Sequence, residues 1–132
     1  MPRRQACAGG VVFDDRGRLL VIRRGHAPAK GSWSLPGGRC RPGETAEAAC
    51  VREVAEETGL EVLVLRVAGR VQRAGPRVGY DITDFVCAVV GGELAAGDDA
   101  AEARWVTHAQ LAGLELTPEL LVTLTGWDLL PR

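Results

Sequence analysis

A helix-forming segment between two glycines constrains the fold of this chain more than any other feature. Residues 44–58 contain Ala, Glu and Arg without Gly or Pro, a composition that favours an α-helix. Glu44 and Thr45 are candidates for the N-cap, since both follow Gly43 at the start of the segment. Gly59 stands where helices commonly end in a left-handed residue. The sequence therefore predicts a helix over 44–58.

Strand-like segments lie on both sides of this helix. Residues 5–13 and 18–24 are apolar runs around the turn cluster 14–17, which predicts a hairpin. Further strands are predicted over the Val-rich and Leu-rich segments 60–71 and 80–90, and over 104–106. Short helices are predicted after Thr107 and from 117–119 towards Trp127. This order favours a mixed sheet covered by helices.

The size and composition of the chain suit one compact domain. The chain has 132 residues, of which 46% are hydrophobic and 25% charged, close to average globular usage. The sequence therefore predicts a single domain over residues 1–132.

Charge and hydropathy exclude some partners. The formal net charge is -1 and the pI is near 6.1, which argues against a nucleic acid polymer as partner. No run of about 18 apolar residues predicts a membrane span, so a cytoplasmic protein is expected. The four cysteines have no zinc-like spacing and are expected to be reduced.

Three glutamates share one face of the predicted helix. Glu53, Glu56 and Glu57 stand at positions i, i+3 and i+4, which are neighbours on a helix of 3.6 residues per turn. Like charges at this spacing destabilise a helix by about 0.2 to 0.5 kcal/mol per pair. Because the i, i+4 pairing of Arg52 with Glu56 offsets only part of this cost, the cluster needs further neutralisation.

The opposite side of the predicted helix carries small apolar residues. Ala48, Val51 and Ala55 form a stripe, with Val54 and Thr58 beside them. Such a stripe is typical of a helix that packs on a sheet. We therefore expect the helix to pack through this stripe and the three glutamates to face outward.

Two explanations of the acidic cluster remain open at this point. A solvated charged face is the ordinary one. The other is a Mg²⁺ site, because this hard cation prefers carboxylates, waters and phosphate oxygens as ligands. The glycine-rich segment 35–38 lets the backbone approach such a site, so the carbonyl of Gly38 is a candidate further ligand.

The region 38–60 resembles the box of the Nudix hydrolase family. The family pattern is G-x5-E-x7-R-E-U-x-E-E-x-G-U, with U aliphatic, and a chance match to its seven fixed residues is on the order of 10⁻⁸ per starting position. Segments 33–37 and 102–106 also resemble the family. The pattern is matched throughout, by Gly38, Glu44, Arg52, Glu53, Val54, Glu56, Glu57, Gly59 and Leu60.

The resemblance implies a fold and a ligand set. The fold is the Nudix α/β/α sandwich with a mixed β-sheet between helices. By resemblance, Glu53, Glu56 and Glu57 bind the catalytic Mg²⁺, for which Mn²⁺ is the alternative, and Gly38 adds a carbonyl ligand. Arg52 orients the glutamates.

The implied reaction is hydrolysis of a diphosphate linkage by a metal-activated water. Glu44 resembles the early glutamate of the family, which supports the loop and the helix start; an acid favoured by the helix dipole is the alternative. The general base is either Glu53 or an acid of a later loop. Asp99 is the candidate in that loop, with Asp98 and Glu102 as alternatives.

The substrate expected from the resemblance is ADP-ribose or another nucleoside diphosphate derivative, because segments 28–33 and 99–105 resemble the small ADP-ribose pyrophosphatase-like branch. Candidate phosphate contacts are Arg23, Arg24 and Lys30. Tyr80, with Phe85 as the alternative, is a candidate for stacking on a base. Packing in the core is the competing explanation for these aromatics and for Trp33, Trp105 and Trp127.

Two rival functions differ from this expectation. The first is a MutT-like nucleoside triphosphate pyrophosphohydrolase, which keeps the enzyme class and changes the substrate. The second is a non-catalytic Nudix domain that senses a nucleotide metabolite, against which the intact set of acids argues. The expected partner is a small-molecule nucleotide, and the resemblance alone suggests a homodimer.

Overall fold

The structure, a computed structural model, describes residues 3–25, 29–97 and 100–132. Within this part of the chain, seven strands form one sheet and three helices pack around it. The elements in chain order are β1 Arg3–Phe13, β2 Leu19–Arg24, β3 Trp33–Ser34, β4 Gly37–Arg39, α1 Ala46–Thr58, β5 Leu60–Ala74, β6 Val78–Gly92, β7 Ala100–Val106, α2 His108–Ala112 and α3 Leu120–Gly126.

β1 lies at the centre of a mixed sheet whose order is β3-β2-β1-β6-β5. It pairs in parallel with β6 along its whole length, from Arg3 opposite Val78 to Phe13 opposite Ala88. β4 pairs with β1 and β7 with β2, both antiparallel. The predicted hairpin of β1 and β2 is confirmed by their antiparallel pairing.

α1 begins and ends at the residues that the sequence indicates. The side chain of Thr45 accepts a hydrogen bond from the backbone N–H of Ala48, which caps the N-terminus. Gly59 adopts a left-handed conformation with φ of 75° and its N–H donates to the carbonyl of Ala55. The last turn therefore closes on the glycine, as such C-terminal motifs do.

The packing face of α1 differs from the predicted one. Val51 is 36% exposed, and Ala48 and Ala55 are also exposed. The buried residues are Ala49, Cys50, Val54, Glu57 and Thr58. The predicted stripe was right for Val54 and Thr58 and wrong for Ala48, Val51 and Ala55. Small residues occur on both sides of this helix, so composition did not fully identify the side that meets the sheet.

The sheet separates two hydrophobic clusters, since neighbouring residues of a strand point to opposite faces. Val12 of β1 faces α1, together with Val54 of that helix and Phe85 of β6. Val11 faces the other side, where Leu124 of α3 packs. Helices thus cover both faces, which confirms the α/β/α sandwich.

Three elements depart from the sequence-based expectations. β4 forms over Gly37–Arg39, a segment too rich in glycine to be predicted as a strand. β7 begins at Ala100 instead of residue 104. α3 begins at Leu120, because Glu119 before it adopts a left-handed conformation with φ of 69°. In the described ranges, no helix is both long and apolar enough to cross a membrane.

Candidate active site

Arg52 organises the acidic side chains of α1. Its Nε and Nη2 donate to the two carboxylate oxygens of Glu44, each at 2.8 Å. Its Nη1 donates to Glu53 at 2.8 Å and to Glu56 at 3.2 Å. The remaining Nη2 contact, of 3.0 Å, reaches the carbonyl oxygen of Arg39 at the end of β4. One guanidinium therefore fixes three carboxylates and the adjoining strand.

Arg52 and Glu44 stabilise each other's charged form. The hydrogen bonds from Arg52 are the main reason that the pKa of Glu44 falls to about 2, and the backbone N–H of Arg41 lowers it further. The hydrogen bonds to Glu44 in turn raise the pKa of Arg52. Both groups therefore stay charged across the physiological range, as a group that orients other carboxylates must.

Glu57 points into the protein, although it belongs to the same acidic face. Its residue exposure is 6%, and its Oε1 accepts a hydrogen bond of 2.7 Å from the backbone N–H of Gly37. α1 thus presents Glu57 towards β4, and the expectation that all three glutamates face outward was wrong. Glu57 is therefore buried together with the apolar residues through which α1 packs on the sheet.

Two glycines of β4 permit close packing at the site, Gly38 against Glu53 and Gly37 against the backbone of β1. A Cβ atom on Gly38 would lie 2.7 Å from the carboxyl carbon of Glu53, and one on Gly37 would lie 2.5 Å from the carbonyl oxygen of Ala8. Both distances are too short for a real side chain. The absence of side chains here therefore lets α1 and its carboxylates approach the sheet.

The donor set suits a hard divalent cation in kind. Glu53 and Glu56 already converge on one cationic group, the Nη1 atom of Arg52. Glu57 instead bonds to Gly37, and across the three described ranges no three acidic, His or Cys side chains are placed to hold a metal ion. A metal bound by all three glutamates thus requires side-chain rotation, and the ligand set stays a prediction.

A cavity of about 730 Å³ opens beside the acids. Its floor is the face of the sheet opposite α1, its wall is the start of α3, and its rim is the segment 34–39. Glu53, Glu56 and Glu57 all line it. The volume falls within the range of about 300–1,000 Å³ that is typical of small-molecule sites.

Asp84 of β6 is a buried acid in the floor of this cavity. It is 7% exposed, and burial raises the pKa of its carboxyl to about 6, an effect that Arg73 partly counters. Opposite it on β1 lies Gly9, where a Cβ atom would overlap the Asp84 carboxyl. The glycine therefore leaves space for this acid over the sheet.

The predicted substrate contacts fall in different places. Arg24 and Tyr80 line the cavity, as do the glycines of β4. Arg23 lies outside the lining, with its Nη2 3.4 Å from Glu102 Oε1. Lys30 is exposed and also outside the lining. The structure thus places two of the four predicted contacts in the cavity that the acids line.

The predicted loop acids and aromatic contacts also differ in where the structure places them. Asp98 and Asp99 lie outside the described residues. Glu102 pairs with Arg23 and with Arg104 Nε, the latter at 2.5 Å. Phe85 and Trp33 are core residues, which favours packing as the explanation for both.

Sequence reasoning missed Asp84 as a candidate for the site. The available signal was a single acid inside the apolar strand run 82–90. A charged residue within such a run is either an error of strand assignment or a buried functional group. The sequence does not show which, because the side that Asp84 faces depends on the parallel pairing of β6 with β1.

Comparisons with known proteins agree with this geometry. A family model described as the NUDIX domain matches residues 3–124. The chain is 39% identical over 115 residues to an ADP-ribose pyrophosphatase of Methanocaldococcus jannaschii, covering 86% of this chain and 68% of that protein. It is also 41% identical over 121 residues to a putative 8-oxo-dGTP diphosphatase 2 of Mycobacterium tuberculosis, covering 84% and 78% respectively.

Solved structures share the fold. The MutT protein from Methanosarcina mazei superposes with a TM-score of 0.84 at 24% identity, covering 96% of this chain and 94% of that one. At this identity the likeness concerns the fold alone. Because it covers 96% of this chain, it extends over the sheet and the helices on both of its faces.

Proposed function

We propose, from the premise that this chain belongs to the Nudix hydrolase family, that it hydrolyses a diphosphate linkage in a nucleotide derivative with the help of a divalent cation. One observation carries the proposal. The three glutamates of α1 line a cavity of ligand size, and Arg52 holds two of them together. A merely solvated acidic face would have no such orienting group and no adjoining cavity.

In this proposal Glu53, Glu56 and Glu57 hold Mg²⁺, with Mn²⁺ as the alternative, and the carbonyl of Gly38 is a further oxygen ligand. Such a cation neutralises charge on the diphosphate and lowers the pKa of a bound water. Arg52 is a positioning residue, because it acts through the carboxylates to which it donates.

The general base in this proposal is Glu53. Its carboxylate lies against Gly38 at the rim of the cavity, where Arg52 fixes one oxygen at 2.8 Å. The second oxygen is then left either to the cation or to a proton from an attacking water, so these are alternative roles for it. Asp99 is the alternative base. Glu102 is a weaker one, because its oxygens pair with Arg23 and Arg104.

ADP-ribose is the first candidate substrate. The relative from Methanocaldococcus jannaschii is named for this activity, and the cavity offers Arg24 for a phosphate and Tyr80 for a base. Arg23 and Lys30 are less well placed for contact, since neither lines the cavity.

A nucleoside triphosphate with an oxidised base is the second candidate. The relative from Mycobacterium tuberculosis, named a putative 8-oxo-dGTP diphosphatase, is as similar to this chain as the first. Hydrolysis of ADP-ribose and hydrolysis of such a triphosphate would use the same acids. The two substrates differ in the base and in the group beyond the diphosphate that the cavity has to bind. A sensing domain without catalysis is disfavoured by the complete set of acids.

Product identification tests the proposal. Incubation with Mg²⁺ and ADP-ribose should yield AMP and ribose 5-phosphate, whereas a triphosphate substrate should yield a monophosphate and pyrophosphate. The Glu57→Gln variant serves as the matched control, since its amide oxygen can still accept from Gly37. If Glu57→Gln turns over these substrates as fast as the parent, the catalytic assignment fails.

A further inference from the structure

Asp84 is an acceptor without a donor in the part of the chain that the structure describes. Its residue is 7% exposed, and no side chain or backbone group of residues 3–25, 29–97 or 100–132 donates a hydrogen bond to its carboxyl. A buried carboxylate without hydrogen bonds is costly. The cavity is the one direction from which a donor can arrive, because Asp84 forms part of its floor.

Asp84 lies at the closed end of that floor. Along β6, Tyr80 and Ile82 are partly exposed, whereas Asp84 and Val86 are buried. Tyr80, Ile82 and Asp84 line the cavity, and Val86 belongs to the hydrophobic core. The carboxyl of Asp84 is therefore the innermost polar group of this strand that a ligand can reach.

The position of Asp84 relative to the acids of α1 is fixed by the sheet. Asp84 is opposite Gly9, and Gly9 is opposite Gly37, in a row across three strands. At the usual strand spacing, the backbones of Asp84 and Gly37 are about 10 Å apart. Gly37 in turn donates to Glu57. The Asp84 carboxyl extends over Gly9, so it lies closer to Gly37 and Glu57 than the Asp84 backbone does.

Two neighbouring acceptor oxygens suit a ligand group with two neighbouring donors. In a nucleotide, the 2′- and 3′-hydroxyls of ribose form such a pair, and some bases offer paired N–H groups. Because the row places Asp84 close to the acids, the sugar that adjoins the diphosphate reaches it before the base does. Tyr80 and Ile82, further along the strand, provide the flat and apolar surface that suits a base.

We infer that Asp84 is a specificity-determining residue that accepts hydrogen bonds from the 2′- and 3′-hydroxyls of the substrate's nucleoside ribose. This inference rests on the proposed function and makes it narrower: the enzyme is selective for ribonucleoside over 2′-deoxyribonucleoside diphosphate compounds. The burial that raises the pKa of Asp84 still leaves the carboxyl mostly ionised at neutral pH. Charge-assisted hydrogen bonds to the sugar are therefore available.

The test compares ADP-ribose with its analogue that carries 2′-deoxyadenosine. A hydrogen bond to a charged group changes a rate by about 10-fold to 100-fold, so the parent should prefer ADP-ribose in kcat/KM by at least about 10-fold. Asp84→Leu removes both acceptors while keeping the branched shape of the side chain, and should reduce this preference to less than about threefold. Asp84→Asn, which keeps one acceptor, should lie between.

Asp81→Asn is the matched control for these variants. Asp81 belongs to the same strand, but it pairs with Arg4 at 2.6 Å and lies outside the cavity lining. Its variant should keep the full preference for ribose. An Asp84→Leu protein that retains the parental preference would overturn the inference.

A third substrate and a binding measurement separate the remaining outcomes. If Asp84→Leu alters the ratio between ADP-ribose and its hypoxanthine analogue but not the ribose preference, the carboxyl reads the base and the inference is wrong. If the parent hydrolyses none of these compounds, ADP-ribose fails as the substrate, whatever Asp84 does. Calorimetric binding of ADP and 2′-deoxy-ADP with Mg²⁺ then tests Asp84, and equal affinities for both would refute its role.

Discussion

Arg52 holds Glu44 through two parallel hydrogen bonds of 2.8 Å, one from Nε and one from Nη2. This paired geometry is specific to a guanidinium, since an ammonium group cannot reproduce its planar arrangement of donors. Glu44 lies just before α1 and Arg52 lies within it. Their pair therefore links the segment before the helix to the middle of the helix. The third nitrogen, Nη1, is thereby directed at Glu53 and Glu56.

Replacement of Arg52 by Lys should reduce kcat/KM by about 10-fold to 100-fold, the range seen when groups that orient metal ligands are lost. The variant keeps a positive charge but loses the paired hydrogen bonds. The effect should appear as weaker Mg²⁺ activation in a metal titration. Arg41→Lys is the control: its contact with Glu56 is 3.4 Å and its side chain is 65% exposed, so less than a threefold change is expected.

Glu57→Gln should lower kcat by at least about 100-fold, because a carboxylate in contact with the metal supplies charge that an amide does not. Its fold should persist, since the amide oxygen can still accept from Gly37. Stabilisation by added Mn²⁺, measured as the rise in Tm, should be smaller than in the parent. An unchanged rise in Tm would argue against metal ligation by Glu57.

Gly38→Ala should impair catalysis more than stability. The added methyl group would lie 2.7 Å from the carboxyl carbon of Glu53, so this side chain has to move. We expect a loss of about 10-fold or more in kcat, as small displacements of reacting groups produce. Gly126→Ala is the matched control, because its methyl group would meet no atom within 4 Å; equal losses in both variants would contradict the explanation.

Asp84→Asn should stabilise the ligand-free protein at neutral pH. The pKa of Asp84 is about 6 in the folded protein against an ordinary value of 3.8, so ionisation costs the folded state more than the unfolded one. The resulting penalty is absent below about pH 4 and complete above about pH 7, where it is about 3 kcal/mol.

Urea unfolding across this pH range checks the expectation. The free energy of unfolding of the parent should fall relative to that of Asp84→Asn as the pH rises through 6. Parallel curves for the two proteins at all pH values would show that Asp84 does not titrate in this window. A carboxyl retained at such a cost to stability is typical of a functional site.

Local patterns predicted the ends of α1 well. Thr45 and Gly59 act through bonds to residues a few positions away, and such short-range contacts follow from the order of residues alone. The periodicity also brought Glu53, Glu56 and Glu57 onto one side of the helix. The periodicity did not predict whether this side of the helix faces solvent or the protein, because that depends on where β1 and β4 lie.

The remaining features of the site depend on contacts between distant parts of the chain. The parallel pairing of β1 with β6 sets Gly9 beside Asp84, and no local pattern encodes that register. β4 was not predicted because Gly37 and Gly38 have low strand propensity. The structure shows that they occur there because a side chain would collide with Ala8 or Glu53.

The facing glycines Gly9 and Gly37 also limit how the enzyme can be redesigned. Neither position accepts even a methyl group without moving the main chain of Ala8 or the carboxyl of Asp84. These two positions of the floor are therefore closed to substitution, and the depth of the cavity above them is fixed. Changes of substrate range, whether by laboratory selection or by natural drift, must act on lining residues that carry side chains, such as Asp84 and Tyr80 of β6 and Thr117 before α3.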